Sequence, residues 1–231
     1  MDELADQGYR NEIREEEPGL IGIGMVPAFS IGQRALLVLT EQGNVLYDCI
    51  SYVDPATVRA VEALGGIHAM TLSHPHFYDS MVSWSQAFGG APIYIPEADR
   101  QWVTRPDPAI RYWDGAPTEL VPGVTLIQCG GHFPGSAVLH WAAGAGGRGA
   151  LLVGDSITVV MDRRRVSFMH SYPNLLPLPA TAVQGIVDSI EPYPFDRIYG
   201  GWWQRNILSD AKSAVLDSAR RYQELIAPDG A

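Results

Sequence analysis

The sequence predicts an α/β protein: a four-layer sandwich of two mixed β-sheets, stacked face to face and flanked by helices on their outer faces. Two observations carry this. Short apolar runs of strand type recur along the 231 residues, divided by Gly, Pro and Asn turns. Each half of the chain also passes from plain strands into strand–helix alternation, so the pattern occurs twice, once for each sheet. A hydrophobic content of 46% against 18% charged residues supports a packed core rather than disorder. No linker, low-complexity segment or short repeat divides residues 1–231, which read as a single domain.

Residues 1–19 are polar and acidic and read as a short helix or loose arm. The strand-type runs "LIGIGMV" (20–26), "RALLVLT" (34–40) and "NVLYDCI" (44–50) follow, and the turn signal "EQGN" makes the last two a hairpin. In "DPATVRAVEAL" Asp54 suits an N-cap and Pro55 the first helical position. Val58, Val61 and Leu64 give that helix its apolar stripe, and Gly65–Gly66 stops it. "IHAMTLS" (67–73) reads as a buried strand, residues 79–90 as a helix with Asp79 as its cap, and "APIYIP" (91–96) as a strand. Beyond a Pro- and Trp-rich stretch come the strands "TELV", "VTLIQCG", "AVLHWAA" and "ALLVGDS". A helix (180–190), a strand (195–200) and a helix (209–226) close the chain.

The net charge of −10 excludes the basic surface that nucleic acid requires. No run approaches the eighteen or so apolar residues of a membrane span, and the N-terminus is acidic where a secretion signal would be basic. Cys49 and Cys129 lie in strand-like context and read as buried free thiols. A cytoplasmic protein with a small-molecule substrate and no nucleic-acid or membrane partner is expected; self-association is left open.

Candidate ligands stand where strands end. In "LSHPHFYDSM" His74 and His76 are two residues apart, and residues i and i+2 of an extended chain point the same way. His132 lies in "CGGHFPGSAVL", 56 residues after His76, and Asp155 ends the strand "ALLVGDS". Three imidazoles and a carboxylate suit Zn²⁺. Arg163, Arg164 and Arg165 form the only basic run and read as a solvated turn; His68 and His140 read as structural strand residues.

This order of motifs, from Ile21 to Trp203, resembles the metallo-β-lactamase-fold superfamily, and "AFSIGQRALLV", "SFMHSYPN" and "GGWWQRN" resemble a bacterial subgroup of uncharacterised relatives. Longer members of that subgroup begin with a Cys-containing extension, so an N-terminal segment missing here is an expectation. The resemblance implies an αββα sandwich. It also implies a first metal on His74, His76 and His132, with Asp155 as a further or bridging ligand and Asp48 supporting the site. The motif His-x-His-x-Asp-His would place Asp at 78 and His at 79, where this chain has Tyr78 and Asp79. The family's last His is replaced by Gly201-Trp202-Trp203.

One metal per chain is therefore expected: Zn, with Fe or Mn as alternatives. Asp79 is a weaker candidate ligand. Tyr78 is a candidate hydrogen-bond donor beside the metal, and His170, Trp202 and Trp203 are candidates for the substrate pocket. The activity implied is metal-dependent hydrolysis of an ester, thioester, lactone or lactam through an activated water, with Asp155 in the catalytic role. The alternatives are an Fe(II) enzyme resembling persulfide dioxygenases, or a binding module with a degenerate site.

Overall fold

The computed structural model describes residues 2–227. After a short helix α1 (Asp2–Asp6) come strands β1 (Arg10–Glu17), β2 (Leu20–Val26), β3 (Arg34–Val38) and β4 (Val45–Tyr47). Helix α2 (Pro55–Ala63), β5 (Ala69–Thr71), α3 (Met81–Ala87), β6 (Ile93–Pro96) and β7 (Ile110–Trp113) complete the first half. The second half has β8 (Thr118–Val121), β9 (Val124–Gln128), β10 (Ala137–Trp141), a single turn α4 (Gly144–Gly147) and β11 (Ala150–Val153). Two small ribbons follow, β12 (Thr158–Val159) with β13 (Val166–Ser167) and β14 (Met169–Ser171) with β15 (Leu176–Pro177). Helix α5 (Ala180–Ile190), β16 (Arg197–Gly200), β17 (Asn206–Ile207) and helix α6 (Ala211–Ile226) end the chain.

The strands form a seven-stranded sheet in the order β1 to β7 and a six-stranded sheet in the order β17-β16-β11-β10-β9-β8. Both are mixed: β4, β5, β6 and β7 run parallel, as do β11 and β16, and the other pairings are antiparallel.

Period-2 alternation sorts the strand residues into layers. Leu36 and Val38 of β3 meet Leu139, Trp141 and Leu152 of the other sheet in a core shared by both halves. Ala35 and Leu37 face the opposite way, into the layer of α2 and α3 with Val61, Met81 and Trp84. Leu151 and Val153 likewise face α5 and α6, against Ile186, Ile190 and Val215. The result is the expected helix–sheet–sheet–helix sandwich. Asp54 caps α2 through bonds from the amides of Ala56 and Thr57, with Pro55 at the start, as read from the sequence. No described helix is long and apolar enough to cross a membrane.

Four expectations need correction. Residues 10–17 are a full edge strand, not an arm: β1 pairs along β2 with Ile13 opposite Ile23. Its sequence, RNEIREEE, hides the strand because a sheet edge is protected by charge rather than marked by apolar alternation. Asp79 does not cap α3, whose N-cap is Ser80 without a side-chain bond. His68 precedes β5 and is exposed rather than lying in a strand. Residues 75–77 form a 3₁₀ turn rather than extended chain.

Candidate metal centre

His74 follows the end of β5 in extended backbone, and the turn at Pro75–Phe77 brings the His76 ring round beside it, with centroids 5.0 Å apart. The two rings therefore meet through a turn and not through strand geometry. His132 arrives from the Gly130–Gly131 turn after β9, where both glycines have positive φ. Asp155 follows β11. His74, His76, His132 and Asp155 each offer one donor atom, and the four atoms lie within 4.8 Å of one another.

Specific separations are tighter. His132 Nε2 is 3.4 Å from His76 Nδ1. Asp155 Oδ2 is 3.5 Å from His74 Nε2 and 3.6 Å from His132 Nε2. Four ligands at about 2.0–2.2 Å from a tetrahedral centre stand roughly 3.3–3.6 Å apart, so this spacing fits a zinc-sized ion.

The tautomers fit as well. His132 Nδ1 donates to the Met169 carbonyl at 3.1 Å, which leaves Nε2 as a bare lone pair. His74 Nδ1 lies 2.8 Å from Ser73 Oγ, and that hydroxyl lies 3.0 Å from Asp48 Oδ2. With Ser73 donating to Asp48, its oxygen accepts from His74 Nδ1, and His74 Nε2 is likewise bare. His74 Nε2 and Asp155 Oδ1 are buried and have no hydrogen-bond partner among the described residues. Orphaned buried polar atoms of this kind call for a ligand or a catalytic role.

Burial holds all three imidazoles below their ordinary pKa, and for His74 the neighbouring His132 and His76 add to it. Neutral rings are the form that ligates metal. Burial also raises Asp155 to about 7. Asp48 is raised to about 7 by burial, with the amide and hydroxyl of Ser73 acting against the rise. Asp48, which bonds the Ser73 amide and hydroxyl, has a left-handed backbone, φ 64°.

Gly154 makes the approach of β11 possible. A Cβ there would stand 2.2 Å from Ser73 Oγ and 3.2 Å from His74 Nδ1. Tyr172 holds the next turn, its hydroxyl donating to the Asp155 carbonyl at 2.7 Å and bonding the Thr158 hydroxyl. Phe133 packs edge-on against His76 and His132, each at 5.0 Å.

The remaining candidates fall elsewhere. Asp79 is exposed, accepts from Ser51 Oγ at 3.3 Å and stands outside the donor cluster. Tyr78 is buried in the helix-side core, where burial and the Asp99 carboxyl raise its phenol; it does not line the cavity over the cluster. Its short distance in sequence from His76 is undone by the 3₁₀ turn, which sends the two side chains different ways. His170 is exposed and does not line the cavity; its neighbour Met169 touches the site, through a backbone carbonyl. Arg163, Arg164 and Arg165 form an exposed turn closed by Asp162, as expected. His140 is buried and bonds the Pro194 carbonyl.

A cavity of about 940 Å³ opens over the cluster, lined by His76, His132 and Asp155 on one side and by Trp202, Trp203 and Arg205 on another. Trp202 donates to the Ile31 carbonyl at 2.8 Å. Trp203 lies on β2, where a Cβ at Gly22 or Gly24 would strike its ring, and the guanidiniums of Arg14 and Arg34 stand 4.4 and 5.2 Å from its centroid. Ser73, Gly154, Tyr172 and Arg205 were not singled out from sequence. Only Gly154 left a signal there, as the glycine before Asp155 at the end of "ALLVGDS".

Two stacked sheets, outer helices and a His/Asp cluster at the strand ends define a protein of the metallo-β-lactamase fold. Solved structures agree: VMB-1 has a TM-score of 0.69 at 12% identity, covering 94% of this chain and 99% of that one. The DIM-1 metallo-β-lactamase gives 0.67 at 11% identity, covering 94% and 98%. A metallo-β-lactamase of Cronobacter sakazakii gives 0.57 at 18%, covering 93% and 97%. No protein-family model matches the chain. It is 45% identical over 223 residues to the uncharacterized protein YmaE of Bacillus subtilis (strain 168), covering 96% of this chain and 81% of YmaE, and it belongs to the family of that protein.

Proposed function

We propose that this chain is a mononuclear metal-dependent hydrolase of a small molecule, of ester, thioester, lactone or lactam type. One observation supports this above the rest: four donor atoms from His74, His76, His132 and Asp155 converge within 4.8 Å of one another, three of the pairs at 3.4–3.6 Å, and buried His74 Nε2 has no hydrogen-bond partner among the described residues. Zinc suits the donor set of three imidazoles and a carboxylate. When bound, such an ion supplies Lewis acidity and lowers the pKa of water toward neutrality.

The chain's own residues do the rest. His74 and His132 are held in the ligating tautomer by Ser73 and by the Met169 carbonyl. Asp155, buried and with one oxygen free of partners, is suited to orient a water or hold its proton. Tyr172 and Thr158 fix the turn that carries it. The Phe133 ring screens one side of the imidazoles from solvent. A single ion is favoured because Tyr78 and Trp202 occupy positions where the resemblance expects further ligands, and Asp79 faces solvent.

The test is elemental analysis of protein purified without added metal or chelator, for wild type and His132→Ala. About one zinc per chain, lost in the variant, supports the proposal and justifies ester, thioester, lactone and lactam panels. One iron moves the reading to the persulfide-dioxygenase-like alternative. Two ions per chain overturn the mononuclear site, and none in either protein overturns the metal reading altogether.

A further inference from the structure

We propose that Arg205 binds an anionic group of the substrate, so that the preferred ligand is an amphiphile with an apolar body and a carboxylate or phosphate. This rests on the hydrolase reading of the same cavity and specifies its substrate. Three features combine. The cavity wall away from the donor cluster is largely apolar, built from Ile31, Val160, Met161, Pro173, Trp202 and Trp203. Ile31 and Met161 are 54% and 77% exposed, so apolar side chains wait uncovered at this wall. Arg205 is the one Arg or Lys among the lining residues.

What sets Arg205 apart is its place in the cavity wall without an ion-pair partner. Arg14, Arg34 and Arg197 each pair with a glutamate, and Arg148 and Arg165 with an aspartate. Among the described residues no carboxylate pairs with Arg205, although the chain carries a net charge of −10. Its side chain is half-buried, and its backbone is fixed: its amide donates to the Trp202 carbonyl at 3.1 Å and its carbonyl accepts from the Gly200 amide at 2.9 Å.

An apolar group placed against this guanidinium would strip its water and return nothing, and a neutral acceptor would return only part of it. A carboxylate or phosphate replaces that water with charge-assisted, two-pronged hydrogen bonds. The cavity is within the size range of small-molecule sites, so one ligand can rest its apolar body on Trp202 and Met161, reach Arg205 with its anion and present its labile bond to the His/Asp cluster.

Isothermal titration of the protein as purified, with its metal content measured, tests this with 4-phenylbutanoate, 3-phenylpropyl phosphate and the neutral 4-phenylbutanamide. At least one anion is expected to bind about tenfold or more tightly than the amide. In the His132→Ala background, where no ion competes for the anion, Arg205→Ala should abolish that preference and Arg205→Lys should keep part of it. Whichever anion binds more tightly identifies the group as carboxylate or phosphate. The same titrations in His132→Ala should retain the Arg205-dependent preference, so failure of the metal reading shows separately from failure here. A wild type that binds neither anion more tightly than the amide, or a His132→Ala/Arg205→Ala protein that keeps the preference shown by His132→Ala, overturns the assignment.

Discussion

Replacing Gly154 with alanine tests the physical link between the second sheet and the donor cluster. The new Cβ would stand 2.2 Å from Ser73 Oγ and 2.4 Å from Ser73 Cβ, well inside contact distance. Ser73 cannot simply rotate away, because its hydroxyl bridges Asp48 Oδ2 at 3.0 Å and His74 Nδ1 at 2.8 Å, and its amide donates to Asp48 Oδ1 at 2.6 Å. Overpacking of this kind costs about 1–3 kcal/mol. A buried carboxyl losing a hydrogen bond costs about 1–3 kcal/mol more. The expected destabilisation of about 2–6 kcal/mol lowers the melting temperature by roughly 4–24 °C in a domain of this size. Because the His74 tautomer is set through the same hydroxyl, metal affinity should fall about 10–100-fold. Differential scanning calorimetry and a competitive chelator titration read the two effects. Gly185→Ala is the control: nothing lies within 4 Å of its Cβ, it is inside α5, and it should stabilise by about 0.5–1 kcal/mol. Combining S73G with G154A should cost less stability than the two changes summed, yet should not restore metal affinity. If G154A melts like the wild type and holds metal as tightly, the Asp48–Ser73–His74 relay does not position the site.

Other outcomes follow from the same contacts. Glu16→Ala strips buried Arg34 of its carboxylate partner at 2.7 Å and should cost about 3–5 kcal/mol in urea unfolding; Glu12→Ala, which breaks an exposed pair with Arg14, should leave the curve unchanged. Asp79→Ala should leave metal content at its wild-type value, and a loss of bound metal would return Asp79 to the site. Gly24→Ala drives a Cβ to 2.6 Å from the Trp203 ring, so it should lower the melting temperature and weaken binding of the phenyl probes, while metal content is retained.

The four clustered residues were legible because each stood at a strand end marked by a Gly, Pro or apolar-run boundary, and such boundaries survive translation into three dimensions. What was not legible has specific causes. β1 is a charged edge whose pairing is stated by backbone register, with Ile13 its one apolar residue. The His74–His76 pairing was anticipated for the wrong reason, since a turn rather than a strand joins the rings. Tyr78 and Asp79 looked close to the cluster because they are close in sequence; the 3₁₀ turn sends one into the core and the other to solvent. Arg205 and Tyr172 matter through contacts with residues far away or through a lack of them, and neither leaves a pattern along the chain.

The turn that replaces the expected last histidine is held from both sides. Arg34 is fully buried, which desolvates its charge and holds it below the ordinary arginine range. The cost is offset by bonds directed at this turn and its flank: the Arg34 amide to the Gly201 carbonyl at 2.7 Å, Nε to the Gly200 carbonyl at 3.1 Å, and Nη2 to Asn206 at 2.6 Å. Trp203 is then pressed onto the two side-chain-free positions of β2, and Trp202 is tied to the Ile31 carbonyl. A wall held from both sides loses little freedom when a ligand arrives, so more of the contact energy is left for affinity. Loosening Arg34 by removing its carboxylate partner should therefore weaken binding of the anionic probes even though Arg34 does not line the cavity. The Glu16→Ala protein, titrated well below its melting temperature, provides that measurement: unchanged probe affinity would mean that the turn keeps its shape without the Arg34–Glu16 pair, and that the rigidity argument fails.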